Sequence, residues 1–314
     1  MKKRILSTVP IKSFPKVCKI LESAAEVKYL EYPKYEEVEK IIGDFDGILP
    51  NARMKIDKNL LQRASKLNTI SMPAMGIDHI DVDECNAQNI KLFSMGDVKD
   101  FMKEISSTAE YTIGLILLMM KKYLDSSKSV LTTGEWKAVD FRGYDIKDKI
   151  VGLIGCGLVG SQVEKILLGF GARVIKYDPY VMSKDSDTFV DLDTLLRQSN
   201  IISCHIPLTS ETKNMIDENC FSKMNDVYFV NASRGEVIED ESLIRALKRG
   251  NVRYAALDVL SGETVNDINS HILVNYAREN KNLIITPHCA GSSNDGLEKV
   301  FEHAARTLVK NIGE

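Results

Sequence analysis

Three stretches late in the chain close on residues that apolar strands rarely carry: NASRGEVIED (231–240), ALDVLSGE (256–263) and TPHCAG (286–291). Each follows or ends an apolar run that reads as a strand, and in an open α/β sheet ligands bind beyond the carboxyl ends of strands. Arg234, Glu263 and His288 would then gather at one edge of the sheet. Arginine offers a planar fork of donors that matches a carboxylate. Histidine is the side chain best suited to move a proton near neutral pH, and a glutamate beside it would favour the imidazolium and fix the ring. A carboxylate clamp beside a proton donor is what reduction of a 2-oxo acid needs, because the carbonyl oxygen must be protonated as hydride reaches the carbon. Singly, each residue has a plainer reading: a turn arginine, a solvated loop glutamate, a strand-end histidine.

The hydride must come from a carrier, and VGLIGCGLVG (151–160) supplies a place for one. Gly155, Gly157 and Gly160 follow a strand and open a helix pattern, the setting in which GxGxxG marks a dinucleotide site. Gly155 permits the tight turn, Gly157 lets a pyrophosphate approach backbone N–H groups, and Gly160 allows close helix–strand packing. The helix N-terminus then faces the anion with free donors and partial positive charge. The next strand ends in YDP, where Asp178 can accept both ribose hydroxyls and repel a 2′-phosphate. No arginine directly follows it, so NAD is expected over NADP.

Positioning these residues takes strands alternating with helices almost throughout, hence parallel sheets with helices on both faces. Strands are read at 4–9, 25–30, 46–50, 68–72 and 90–93, then at 149–155, 172–178, 200–206, 226–232, 253–259 and 283–288. One long helix is read over 105–130 and a last one over 295–312. The reading is α/β with two domains, in keeping with 314 residues. Apolar residues make up 44% and charged ones 27%, and the net charge of -3 comes from 41 basic and 44 acidic side chains in mixed order. No basic stripe invites nucleic acid. IGLILLMM (113–120) is too short to span a bilayer, and no signal-length apolar run follows MKKRILSTVP. The six cysteines (18, 85, 156, 204, 220, 289) lack metal-ligand spacing and read as free thiols of a cytoplasmic protein with no metal site.

With these motifs in place, nearly the whole chain resembles the D-isomer-specific 2-hydroxyacid dehydrogenases, the phosphoglycerate dehydrogenase-like family. The resemblance rests on GLIGCGLVGSQVEKILLGFGARVIKYDPY, HIPLTSETKNMI, NASRGEVIEDESLIRALKRG, AALDV…E and TPHCAG, with GIDHIDVDEC and STAEYTIGLILLM near the hinges. It implies an NAD-binding Rossmann domain over 104–289, inserted into a flavodoxin-like substrate domain made of 1–103 and 290–314. It implies that Arg234 binds the substrate carboxylate, His288 is the acid/base and Glu263 its partner. Leu158 and Val159 would offer backbone to the pyrophosphate; His205, Pro207, Thr212, Ala232, Ser233 and Gly291 would line the cofactor groove, His205 from behind. Asp258 would hold the nicotinamide carboxamide. A homodimer through the cofactor domain and a small 2-hydroxy or 2-oxo acid substrate are also implied, with no membrane partner. The alternative is an NAD(H)-sensing co-repressor on the same scaffold. Formate dehydrogenase chemistry, which needs no general acid, is disfavoured by the Glu263–His288 pair.

Departures from the family pattern cluster in the substrate domain. Asn51 and Ala52 stand where an Arg-Ser pair is usual, and MPAMG (72–76) replaces an R-x-G-x-G loop, which weakens the case for a phosphorylated substrate. Asn51, Met75 and Gly76 are the expected substrate contacts. The segment 94–110 is longer than usual and reads as a surface loop rather than a lid. VNDINSHILVNYAREN (265–280) reads as a helical excursion and DPYVMSKDSD (178–187) as a solvated loop. Trp136 and Phe141 are expected to pack between domains, His79 to be structural, and His271 and His303 to lie at the surface or in packing.

Overall fold

The computed structural model describes residues 2–180, 188–263 and 267–313. The chain divides into two compact units, 1–105 with 293–314, and 106–292. All eleven segments read as strands are strands. In the first unit β1 (Lys3–Ser7), β2 (Ala25–Tyr29), β3 (Gly47–Leu49), β4 (Thr69–Met72) and β5 (Lys91–Ser94) form a parallel sheet in the order β2-β1-β3-β4-β5. That order is flavodoxin-like. The helix Asn294–Asn311 returns to this unit, where the Ser71 hydroxyl donates to Ala304 O at 2.9 Å.

The second sheet contains β6 (Ile150–Ile154), β7 (Arg173–Tyr177), β8 (Ile201–Cys204), β9 (Val227–Asn231), β10 (Val252–Leu257) and β11 (Leu283–Ile285), all parallel, in the order β11-β10-β9-β8-β6-β7. Successive strand residues point to opposite faces. Val227 and Phe229 enter one apolar core and Tyr228 and Val230 the other. Both faces are covered, so β9 is buried along its whole length, as a parallel strand between helices must be. Fully burying one such ring, Phe229 for example, contributes about 2–3 kcal/mol. From β6 the chain moves outward to β7 and then back across to β8. This switch point opens a crevice at the carboxyl end of β6, where the glycine loop begins.

The stretch EDESLIRALKRG shows how local sequence sets an element. Leu243, Ala246 and Leu247 recur at helical spacing and are buried. Asp240 and Glu241 sit in the first turn, Lys248 and Arg249 in the last, matching the helix dipole. Gly250 at φ 84° ends the helix Asp240–Arg249 by donating its N–H to Ala246 O.

The long helix expected over 105–130 is instead two helices, Ser107–Met120 and Tyr123–Thr133. Lys122 adopts a left-handed conformation (φ 52°) between them and turns the chain. Within 94–110 the chain forms short helical turns, with Met102 buried and the Phe101 ring stacked 4.6 Å from His303. Of the 265–280 excursion, 265–266 lie outside the described residues, and the rest forms a short turn and the helix Ile272–Glu279. In 178–187, residues 181–187 lie outside them too.

Candidate active site

The three glycines of the loop do different work. Gly155 has φ 92°, and a Cβ built there would lie 2.6 Å from His205 O; one on Gly160 would lie 2.2 Å from Gly155 O. Both are dictated by the chain's own packing. Gly157 has no heavy atom within 4 Å of an added Cβ. Its bareness answers to no neighbour in the fold, and it keeps open the space before the helix Leu158–Gly169. That helix has no side-chain cap, so the first-turn donors, among them Leu158 and Val159 N–H, face this space without one. These residues fit a pyrophosphate. Gly157→Val is therefore expected to weaken NADH binding tenfold or more, by order of magnitude, with little change in thermal midpoint, whereas Gly155→Val should lower the midpoint outright. Fluorescence titration and calorimetry on the two variants check this.

Asp178, just past β7, is buried and braces the loop: its Oδ2 accepts Cys156 N–H at 2.8 Å and Oδ1 accepts Tyr180 N–H at 2.9 Å. A carboxylate has about four acceptor sites, so capacity remains for ribose hydroxyls. Burial, with Asp178 adding to it, pushes the Cys156 thiol up to about 12, which keeps it a neutral packing group. His205 N–H donates to Ile154 O at 2.7 Å, and its ring meets Ser203 Oγ at 2.9 Å. Burial holds that imidazole down at about 4, so near pH 7 it is neutral and brings no charge to the groove. The loop after it folds on itself, Thr212 Oγ1 donating to Pro207 O at 2.6 Å. Ala232 and Ser233 are half-buried beyond β9, and Gly291 is exposed with Thr108 Oγ1 3.8 Å from an added Cβ.

The ends of β9, β10 and β11 lie in register at Asn231, Leu257 and Ile285. Beyond them the three segments are tied in series. Asp258 N–H donates to Asn231 O (2.9 Å), Thr286 N–H to Leu257 O (2.9 Å) and His288 N–H to Asp258 O (2.8 Å). A Cβ on Gly235 would fall 2.0 Å from Leu260 C, so the Arg234 loop presses on the 258–263 loop backbone to backbone. Glu236 Oε1 accepts Gly262 N–H at 3.0 Å across the same junction. Asn231 shapes the turn that presents Arg234: Nδ2 donates to Arg234 O at 2.8 Å, and Oδ1 accepts from Ser233 N–H and Oγ. The Arg234 side chain donates through Nη1 to Ser233 O at 2.8 Å.

His288 Nδ1 and Glu263 Oε1 are in hydrogen-bond contact, and Glu263 Oε2 accepts Leu260 N–H at 2.9 Å. With Nδ1 committed to the carboxylate, Nε2 is the nitrogen that can give and take a proton. His288 is held at φ 52°, a left-handed conformation that costs a non-glycine residue about 1–2 kcal/mol. The carboxylate of Asp258 maintains it, accepting Cys289 N–H (3.0 Å), Ala290 N–H (2.7 Å) and Thr286 Oγ1 (2.6 Å). Asp258 is 0% exposed, and these internal donors fix its carboxylate. Asn231, Gly235 and Glu236 were missing from the sequence reading. An asparagine at a strand end before Ser-Arg-Gly is a turn signal that could have found the first.

In the first unit, Asn51 shapes a turn. It is buried, its N–H donating to Thr8 Oγ1 at 2.9 Å, Nδ2 to Thr8 O at 3.3 Å and Oδ1 accepting Arg53 N–H at 2.8 Å. Met75 is exposed and Gly76 half-buried, with Arg53 exposed nearby in sequence. Trp136 is 88% exposed, against the packing role expected of it. His271 is buried and caps the helix Ile272–Glu279. Among the described residues no helix is long and apolar enough to cross a membrane.

Residues 113–290 match the family model described as D-isomer specific 2-hydroxyacid dehydrogenase, NAD binding domain. The chain is 34% identical over 289 residues to a glyoxylate reductase of Thermofilum pendens, covering 88% of this chain and 81% of that one. It is 30% identical over 285 residues to a hydroxypyruvate reductase of Thermotoga maritima, covering 90% of each. Among solved structures it superposes on D-lactate dehydrogenase from Aquifex aeolicus complexed with NAD and lactic acid, with a TM-score of 0.84 and 27% identity over 97% of this chain and 94% of that one.

Proposed function

The chain belongs to the D-isomer-specific 2-hydroxyacid dehydrogenase family and is an NAD-dependent dehydrogenase of it; from that premise we propose that it interconverts a small, unphosphorylated D-2-hydroxy acid with its 2-oxo acid, Arg234 holding the carboxylate and His288 moving the proton. The observation that carries this reading is the His288–Glu263 pair, joined by backbone ties to the loop that bears Arg234. The sensor alternative is not favoured, since the relatives above are reductases and a dehydrogenase.

Bound NADH supplies the hydride. The Arg234 guanidinium pairs with the substrate carboxylate through two parallel N–H···O bonds, which fixes the plane of the adjacent carbonyl. His288 Nε2 donates its proton to the carbonyl oxygen as charge builds there; Glu263 stabilises the charged ring beforehand and holds it afterwards. In the oxidative direction the same nitrogen takes the alcohol proton. The unit 106–292 carries the cofactor. Asn51 and Ala52 offer no cation to a phosphate, which supports an unphosphorylated acid of the size of glyoxylate or hydroxypyruvate, named for two relatives.

A homodimer is part of this reading. The helix Tyr123–Thr133 has no buried residue, Leu131 is 82% exposed, and Trp136 and Val139 follow it at the surface. An apolar arm of this kind calls for a cover, here a second copy of the chain, and light scattering at the mass of one chain would remove it. The activity is tested by NADH oxidation across 2-oxo acids varied in size, charge and phosphorylation. Short unphosphorylated acids are expected to turn over with kcat/KM roughly tenfold or more above a phosphorylated one. NADH binding with no turnover on any acid would contradict the reading.

A further inference from the structure

Away from the reacting groups, a buried histidine meets two half-buried polar side chains. Ser261 stands two residues before Glu263, Asp240 opens the helix Asp240–Arg249, and His271 caps the helix Ile272–Glu279. The Ser261 hydroxyl donates to Asp240 Oδ2. His271 Nε2 lies 3.3 Å from that hydroxyl and 3.4 Å from the same carboxylate oxygen. His271 Nδ1 accepts Leu273 N–H at 3.3 Å, so the ring proton sits on Nε2, toward the other two groups. This is not a hydrolytic triad: there, hydroxyl and carboxylate flank opposite ring nitrogens, whereas here they share one. Burial holds the Asp240 carboxyl above the usual carboxylate range, in keeping with its interior place.

What the three groups grip is the loop that carries Glu263. On one side that loop rests on Gly235 and on Glu236, which accepts Gly262 N–H. Within it, Leu260 N–H donates to Glu263 Oε2. Ser261 ties it on to two core helices through Asp240 and His271. We propose that Ser261, Asp240 and His271 form a half-buried positioning cluster that sets Glu263 against His288 and so supports proton transfer without touching substrate. The proposal rests on the roles assigned above to Glu263 and His288.

A double-mutant cycle tests it, using Ser261→Ala, Glu263→Gln and the double variant, with kcat, KM, NADH affinity and thermal midpoint measured for each. Ser261→Ala is expected to lower kcat about 5–30-fold, the loss of one part-buried hydrogen bond to a carboxylate, with KM and NADH affinity unchanged. In the Glu263→Gln background it should add less than about twofold, because both changes act through one group. If Ser261→Ala does not fold, His271→Gln enters the same cycle, with the same result expected. Wild-type kcat in Ser261→Ala, or effects that multiply in full, would overturn the cluster while leaving Glu263 in place. Wild-type kcat in Glu263→Gln would overturn the parent assignment and the cluster with it.

Discussion

Replacing His288 with asparagine is expected to lower kcat about 10²–10⁴-fold, the usual contribution of a positioned general acid, while NADH affinity stays within about twofold. Asparagine is the informative choice because position 288 sits at φ 52°, which Asn tolerates better than most side chains. The backbone ties to Asp258 O and Thr286 O do not depend on the side chain and should survive. Glu263 loses its ring partner but keeps the Leu260 N–H. On the proposed reading the cofactor's pyrophosphate lies at the glycine loop after β6, across the sheet from β11, so removing the imidazole should leave that contact alone. Steady-state kinetics with fluorescence titration of NADH separates the two effects. Equal loss of turnover and cofactor affinity would mean that residue 288 shapes the fold and does not move the proton.

Arg234→Lys should be nearly as damaging, although it preserves the charge. A guanidinium can pair with a carboxylate through two parallel bonds; an ammonium cannot, and loses the planar match. Losing one charge-assisted bond and the alignment it enforces costs about 2–4 kcal/mol, or roughly 30- to 1,000-fold in kcat/KM for the 2-oxo acid. The turn itself should persist, because Asn231 reads the Arg234 carbonyl and Gly235 packs by its backbone. NADH affinity is therefore expected to stay near that of the wild type. Wild-type kcat/KM in this variant would remove Arg234 from the substrate.

Much of this was legible in the residues. Central strands such as β9 are dense apolar runs, and edge strands such as β2 (AEVKY) alternate with period two, so all eleven could be located. The glycine loop was legible because its backbone has one demanding geometry, and Arg234, Glu263 and His288 because strand ends converge in a parallel sheet. What escaped depends on partners distant in sequence. The sequence does not show that Thr8, 43 positions away, accepts from both the backbone N–H and the side chain of Asn51. His271 reads as a packing or surface residue until Asp240 and Ser261 close around it. The break at Lys122 has no glycine or proline to announce it. Trp136 reads as a packing residue and is exposed, because an apolar side chain does not by itself mark a core position.

The most direct measurement is a crystal structure of the ternary complex with NADH and oxamate, an unreactive amide isostere of a 2-oxo acid. The carboxylate should lie about 3 Å from both terminal Arg234 nitrogens, and the amide oxygen about 3 Å from His288 Nε2, with Nδ1 still on Glu263. Oxamate bound with its carboxylate away from Arg234, or His288 turned from the amide oxygen, would contradict the assignment of both residues.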